Sequence, residues 1–395
     1  MTSDAVPQRR TPGFGTLTYA RSRLYLGMTG VGTVVLMAIG VLAFDIPATA
    51  FANATEHSLA RALIDVGLVF AMTVLLLFPF DLLGGVRLVR HRTGAVRWLL
   101  AWGRGVLLQW LVWMGAAAAL LTAARMAGTM GTLAVFIAVQ LLLAVFRGRF
   151  ARLIASFTVH PPSSAFVQAA ERAGLEVQHL LVVDSPDEGF VGGWSGLLPR
   201  TLVVPRRWEQ LPPHALAAQL ARRALVAERG AHWRGVVGAI VWNTVGFLIV
   251  QQLTGTTPAT AAGLITLAAG MTLWAFLGVL VLPTPSRAAV YAADTAVAAR
   301  MGAEAVRVGI ERLDQWQDDE PTRSPIIERI FHPVPARTHR LANLTSGGAS
   351  GLKPWHTHHL ARHALWLGWG SFSLVSRAVH CNVGRPALWA MLPGD

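Results

Sequence analysis

Two apolar runs divided by a short break, Val236–Leu253 and Ala259–Leu282, constrain this chain more than any other feature. A bilayer's hydrocarbon core takes roughly 20 helical residues to cross, and each run is about that long. Backbone groups in hydrocarbon must be bonded within their own segment, so the pair reads as a helical membrane hairpin. Helical patterns flank it. Leu211–Gly235 opens with Pro212 and Pro213, which suit a helix start. Ala215, Leu216, Leu220, Ala224 and Leu225 then recur at helical spacing. Ser286–Met301 reads as a second helix. Arg222 and Arg223 lie among small apolar neighbours in the first of these helices. A buried guanidinium is costly without a partner, so the pattern demands acceptors from elsewhere.

Four more apolar runs precede the hairpin: Leu24–Phe44, Ala62–Leu83, Trp98–Ala123 and Ala127–Phe146. The first is too long for a signal-peptide core and lacks a small-residue cleavage site, so it is expected to stay as an anchor. The runs explain why only 14% of the 395 residues are charged, where soluble domains carry about a quarter. Net charge is +13 and almost all arginine, with Lys353 the single lysine. The arginines cluster at the ends of apolar runs: Arg9, Arg10, Arg21 and Arg23; then Arg87, Arg90, Arg92 and Arg97; then Arg147, Arg149 and Arg152. That placement is a topology signal, not a nucleic-acid surface, so the expected partner is the lipid bilayer, with no nucleic acid.

The positive-inside rule then predicts a cytoplasmic arm over 1–23 and a four-helix transmembrane region over 24–146. A first cytoplasmic part covers 147–235, the membrane hairpin 236–283, a second cytoplasmic part 284–345 and a C-terminal tail 346–395. The expected location is the inner (cytoplasmic) membrane of a bacterium, with the N-terminus inside. Cys381, the single cysteine, permits no intrachain disulfide and reads as an inert thiol. Asp65 and Asp81 stand near the ends of the second run, where carboxylates reach the interface. A transporter built on Asp65, Asp81 and Arg104 has only those charges behind it; Arg104 is expected to snorkel beside the Trp98 and Trp102 interface pair.

In the first polar part, Ser164–Ala173 reads as a serine-capped helix, and Val177–Asp184 and Thr201–Val204 as strands. Between the strands, Ser185–Arg200 is glycine-rich. It suits either an edge that pairs with extended peptide through Gly192, Gly193 and Trp194, or a flexible turn. Asp314–Glu320 reads as a solvated acidic loop, and Ser346–Gly351 as a linker. The tail carries His356, His358, His359 and His363. His359 and His363 have the i,i+4 spacing of two metal ligands, but Leu360 stands where a catalytic Glu would be. Ala364–Leu374 is apolar, too short to span, and expected to lie against the membrane face.

Helix, membrane hairpin, helix is the order found in the membrane-bound gluzincin metallopeptidases, the family of HtpX and the CAAX prenyl proteases. The chain resembles that family over residues 150–345. Val182–Pro186 and Arg200–Pro205 are similar to its strands, Leu211–Ala221 to the run-up to its H-E-x-x-H helix, and Ser286, Arg287, Ala293 and Asp294 frame its second helix. Pro335, Arg340, Leu341 and Leu344 follow its later P-x4-R-[IL]-x-x-L pattern. The resemblance implies an α-helical polytopic membrane protein with a cytoplasmic α+β gluzincin-type domain.

The chemistry of that family does not carry over. Aligned on the flanks, Arg222 stands for the first ligand His, Arg223 for the general-base Glu, Val226 for the second His and Val290 for the ligand Glu. Zinc takes imidazole, thiolate or carboxylate donors, and none of the four supplies one. Asp294, which in the family supports the first His, is left facing Arg222. The expectations are therefore no catalytic residues, no metal or cofactor, and an Arg222–Asp294 ion pair with the guanidinium bidentate. Arg223 is expected to turn toward the cleft or a second acceptor. The function implied is a catalytically inactive homologue that binds a protein or peptide partner at the cytoplasmic membrane face. The alternative is an active zinc peptidase of the HtpX type using other ligands, such as His332, His339 or the tail histidines.

Overall fold

A computed structural model describes residues 17–51, 58–88, 94–197, 200–317, 320–346 and 359–394. His356, His358 and most of the 346–351 linker lie outside them. Helix α1 spans Tyr19–Ala43, the short α2 Ile46–Ala50, α3 Leu59–Leu82 and α4 Ala95–Ala155. A single π-helical turn, Leu83–Arg87, follows α3. The third and fourth apolar runs both lie in α4, two helices joined at Gly128. That residue adopts φ 58° and ψ −149°, a conformation open to glycine and barred to most side chains. The expected break at 124–126 therefore moves to Gly128. With α7 (Ala231–Thr254) and α8 (Ala261–Val281), five helices among the described residues are long and apolar enough to cross a membrane. The chain is a multi-pass membrane protein.

The polar parts build one four-stranded sheet in the order β1 (Thr158–His160), β2 (Leu180–Asp184), β4 (Thr201–Pro205), β3 (Gly193–Ser195). β2 and β4 are parallel; β1 and β3 run antiparallel at the two edges. The edge strand β1 is not evident in the sequence, because three residues are too few for a period to show, whereas β3 falls at Gly193 and Trp194, where the glycine-rich stretch suits either an edge or a flexible turn. Alternation then gives the sheet two faces. Val182, Leu202 and Val204 pack with α5 (Ser164–Ala173) and α6 (Pro213–Glu228). Val183 and Val203 pack on Ala151 at the end of α4 and on Ala390 and Leu392. Ser163 occupies the N-cap position of α5 but makes no side-chain cap bond. Helix α9 (Pro283–Met301) follows the hairpin, then α10 (Ala303–Gln317), α11 (Pro325–Phe331) and α12 (Arg337–Thr345). Asp314 belongs to α10 and pairs with Arg337 at 3.5 Å, while Glu320 pairs with Arg21 at 2.7 Å. Basic partners thus draw both ends of the supposed solvated loop into the fold.

The C-terminal segment departs most from expectation. Residues 359–394, with α13 (Leu360–Leu367) and α14 (Val375–Ala378), do not rest on the membrane face. Trp366 and Trp369 are fully buried, and the Trp366 indole donates to Leu143 O of α4 at 3.0 Å. An apolar stretch too short to span has found its burial by entering the helix bundle, where Phe372 and Val375 join the core of α1, α3, α4, α7 and α8. Part of its polar surface is matched there. Arg377 pairs with Asp81, which also accepts from the Gly384 amide at 2.8 Å and the Trp102 indole at 2.9 Å.

Candidate functional site

Helix α6 is buried along its whole middle, from Ala215 to Ala227. Arg222 and Val226, four apart, share one of its faces; Val290 and Asp294 share a face of α9. The faces meet: Arg222 Nε donates to Asp294 Oδ1 at 2.6 Å, with both residues about 1% exposed or less. A third residue completes the contact. Arg340 of α12 donates Nε to Asp294 Oδ2 at 2.8 Å and Nη2 to Oδ1 at 2.9 Å. The bidentate grip expected of Arg222 is therefore made by Arg340, and Arg222 binds through Nε. Arg340's planar fork reaches both carboxylate oxygens, which leaves Arg222 one oxygen from the side. Sequence reasoning placed Arg340 in a pattern without assigning it a partner; its fixed spacing after Pro335 was the available signal.

One buried carboxylate thus sits between two guanidiniums. Burial pulls the Arg222 pKa down to about 10; Asp294 opposes the shift and Arg340 adds to it. At neutral pH the group stays cationic. Arg223 points away from Asp294. Its guanidinium lies 4.4 Å from the Trp208 ring centroid and donates to Gln219 O at 3.2 Å, Gln219 Oε1 at 3.1 Å and Val191 O at 3.5 Å. Val226 and Val290 are buried.

Zinc does not fit this arrangement. The side chains at the four slots are two cations and two alkyl groups, and a dication would meet excess positive charge. The other proposed ligands stay apart. His339 Nδ1 bonds Glu328 at 3.0 Å. His332 packs on His380 with ring centroids 4.8 Å apart, and burial, then Arg323 and His380, holds its pKa well below the ordinary imidazole value. His363 Nδ1 accepts from Arg147 Nη1 at 2.8 Å, so that lone pair is already used. His359 sits at the N-cap of α13 with φ 52°, a left-handed residue outside the helix whose carbonyl accepts from the His363 amide at 3.1 Å. Among the described residues, no three His, Cys, Asp or Glu side chains converge on a possible metal position.

Asp65, Asp81 and Arg104 do not assemble either. Asp65 pairs with Arg61 at 3.3 Å. Asp81 lies sixteen residues further along α3, about 24 Å at helical rise. Arg104 donates to Ile154 O at 3.1 Å and to the Ser156 hydroxyl at the end of α4.

The glycine-rich loop holds the edge strand β3. A Cβ at Gly192 would strike Val203 O, and its φ of 74° suits glycine. The Trp194 indole donates to Arg223 O at 2.9 Å, which ties the edge to α6. A cavity of about 390 Å³ extends from Gly192 and Arg340 to Val31 and Phe276 among the membrane helices.

No protein-family model matches the sequence, and no curated protein matches it. The fold does have a counterpart. The structure of S. mikatae Ste24p is similar with a TM-score of 0.65, over 82% of this chain and 86% of that one, at 14% identity.

Proposed function

We propose that this chain is a non-catalytic homologue of membrane metallopeptidases that binds a protein or peptide partner where the bundle meets the cytoplasm. The observation that carries the reading is the Arg222–Asp294–Arg340 cluster: charged groups bridge α6, α9 and α12 where an active homologue would use a metal. The fold shared with Ste24p and the HtpX-like order of motifs support common descent. The cavity beside Gly192 and Arg340 supplies room for a partner's segment. The arginine clusters support an inner-membrane location with the N-terminus and both polar parts cytoplasmic.

Elemental analysis after detergent purification tests the reading directly. The expected result is no stoichiometric zinc and no chelator-sensitive cleavage of an unfolded protein. Near one zinc per chain with such cleavage would sink it and favour the peptidase with unusual ligands. Reporter fusions test orientation: one after Gly348 should behave as cytoplasmic, and one in the Ala48–His57 loop as external.

A further inference from the structure

The β3 edge is already covered by a stretch of this chain, residues 390–394. Trp194 N, the outward amide of β3, donates to Pro393 O at 3.3 Å. The three preceding carbonyls are also taken. Arg147 donates Nε to Ala390 O at 2.9 Å and Nη2 to Met391 O; Arg362 Nη1 donates to Leu392 O at 3.2 Å. Four successive carbonyls are thus read by two guanidiniums and one sheet amide. Carbonyls are common to every peptide, so this grip is sequence-tolerant.

Shape supplies the selectivity. A Cβ at Gly193 would lie 2.6 Å from Pro393 C, and one at Gly394 would strike Gly192 O. Glycine is required on both sides of that crossing. Ala390 and Leu392 fill the sheet face beside Val183 and Val203, and Ala390, Met391 and Leu392 are all buried. The groove therefore takes uncharged side chains. Met391 sits at φ 48°, a left-handed conformation that strains an L side chain. The anchor is one residue earlier: Trp389 is buried, with its indole bonded to Asn382 O at 2.9 Å.

We propose that residues 390–394 are an intramolecular ligand of this groove. Its partner in trans is an extended apolar peptide of another protein, with glycine at the Met391 and Gly394 positions. Trp389 stays anchored while the five residues beyond it leave. The inference rests on the partner-binding reading and names the class of partner. Arg147 and Arg362 are its positioning residues.

The test is fluorescence anisotropy of a labelled Ala-Gly-Leu-Pro-Gly peptide with the purified full-length chain in detergent. A segment docked nine-tenths of the time lowers apparent affinity about tenfold. Gly394→Val, which expels the segment without touching Trp389, is therefore expected to tighten binding about tenfold, as is deletion of 390–395. Gly193→Val on either background is expected to abolish the gain, and Ala-Met-Leu-Pro-Gly to bind more weakly. If the deletion does not fold, full-length Gly394→Val decides. Equal affinity in wild type and Gly394→Val, no binding to either, or tight binding that survives Gly193→Val each overturns the inference. Binding that survives Gly193→Val would leave the partner-binding reading standing with a different site. Zinc-dependent cleavage would overturn that reading whatever the edge variants do.

Discussion

Asp294 and Asp81 are both buried aspartates held by arginine, yet they are compensated differently. Asp81 has one guanidinium, one indole and one backbone amide, and its cluster is neutral. Asp294 is held by two guanidiniums from two different helices. The first ties the C-terminal segment to α3. The second joins α6, α9 and α12 at the slot where the resemblance places a metal. The contrast separates a lock built on one guanidinium from a cluster in which two guanidiniums on different helices share one carboxylate.

Stability measurements can break that comparison. The largest loss is expected for Asp294→Ala, which abandons two buried cations; removing one side of a buried pair costs roughly 3–5 kcal/mol, and this variant should lie at the upper end. Asp81→Ala leaves only Arg377, so its loss should fall near the lower end of the same roughly 3–5 kcal/mol range. Denaturation in detergent ranks the two, and a larger loss at Asp81 would remove the distinction.

Charge removal sharpens it. Because Arg340 also grips Asp294, Arg222→Leu with Asp294→Leu still leaves one buried cation and should recover little. Adding Arg340→Leu should recover most of the loss, since apolar replacement of a complete ionic cluster is often neutral. A double variant as stable as the triple would show that Arg340 contributes nothing to the cluster.

The smallest effect concerns a third pair, Asp187 with Arg385, at the root of the C-terminal segment, with Arg385 Nε 2.7 Å from Oδ2. Burial alone would raise the Asp187 pKa, but Arg385 and the Gly189 amide hold it below the usual value. A carboxyl depressed in the folded state stabilises fully above its unfolded pKa of about 3.9 and loses that contribution as pH falls through the folded value. Acid titration of stability should show this loss below about pH 4 in wild type, and a flatter profile there in Asp187→Asn.

Much of the fold was legible because hydrocarbon admits few solutions. Uncharged runs gave the membrane helices, and proline with apolar spacing gave α6, as the residues at Pro213 and Ala215–Leu225 show. The Asp294 contact was legible in part. The slot of Arg222 pointed to Asp294, but that Arg340 would take the bidentate position depends on how α12 lies across α9. The edge strand β1 was hidden by its three-residue length, β3 was legible only as one of two readings of the glycine-rich stretch, and His359 takes a left-handed conformation outside α13.

By itself the sequence determined that this chain crosses a membrane several times, that Arg222 and Arg223 need buried acceptors, and that Arg222, Arg223, Val226 and Val290 offer no zinc donor. These follow from residue chemistry and local period, which act within a few residues. Only the tertiary structure decided where the C-terminal segment goes. Its apolar residues could have covered a membrane face or filled a bundle. The choice rests on contacts more than 200 residues apart in sequence, Arg147 with Ala390 and Arg377 with Asp81, which no local pattern encodes.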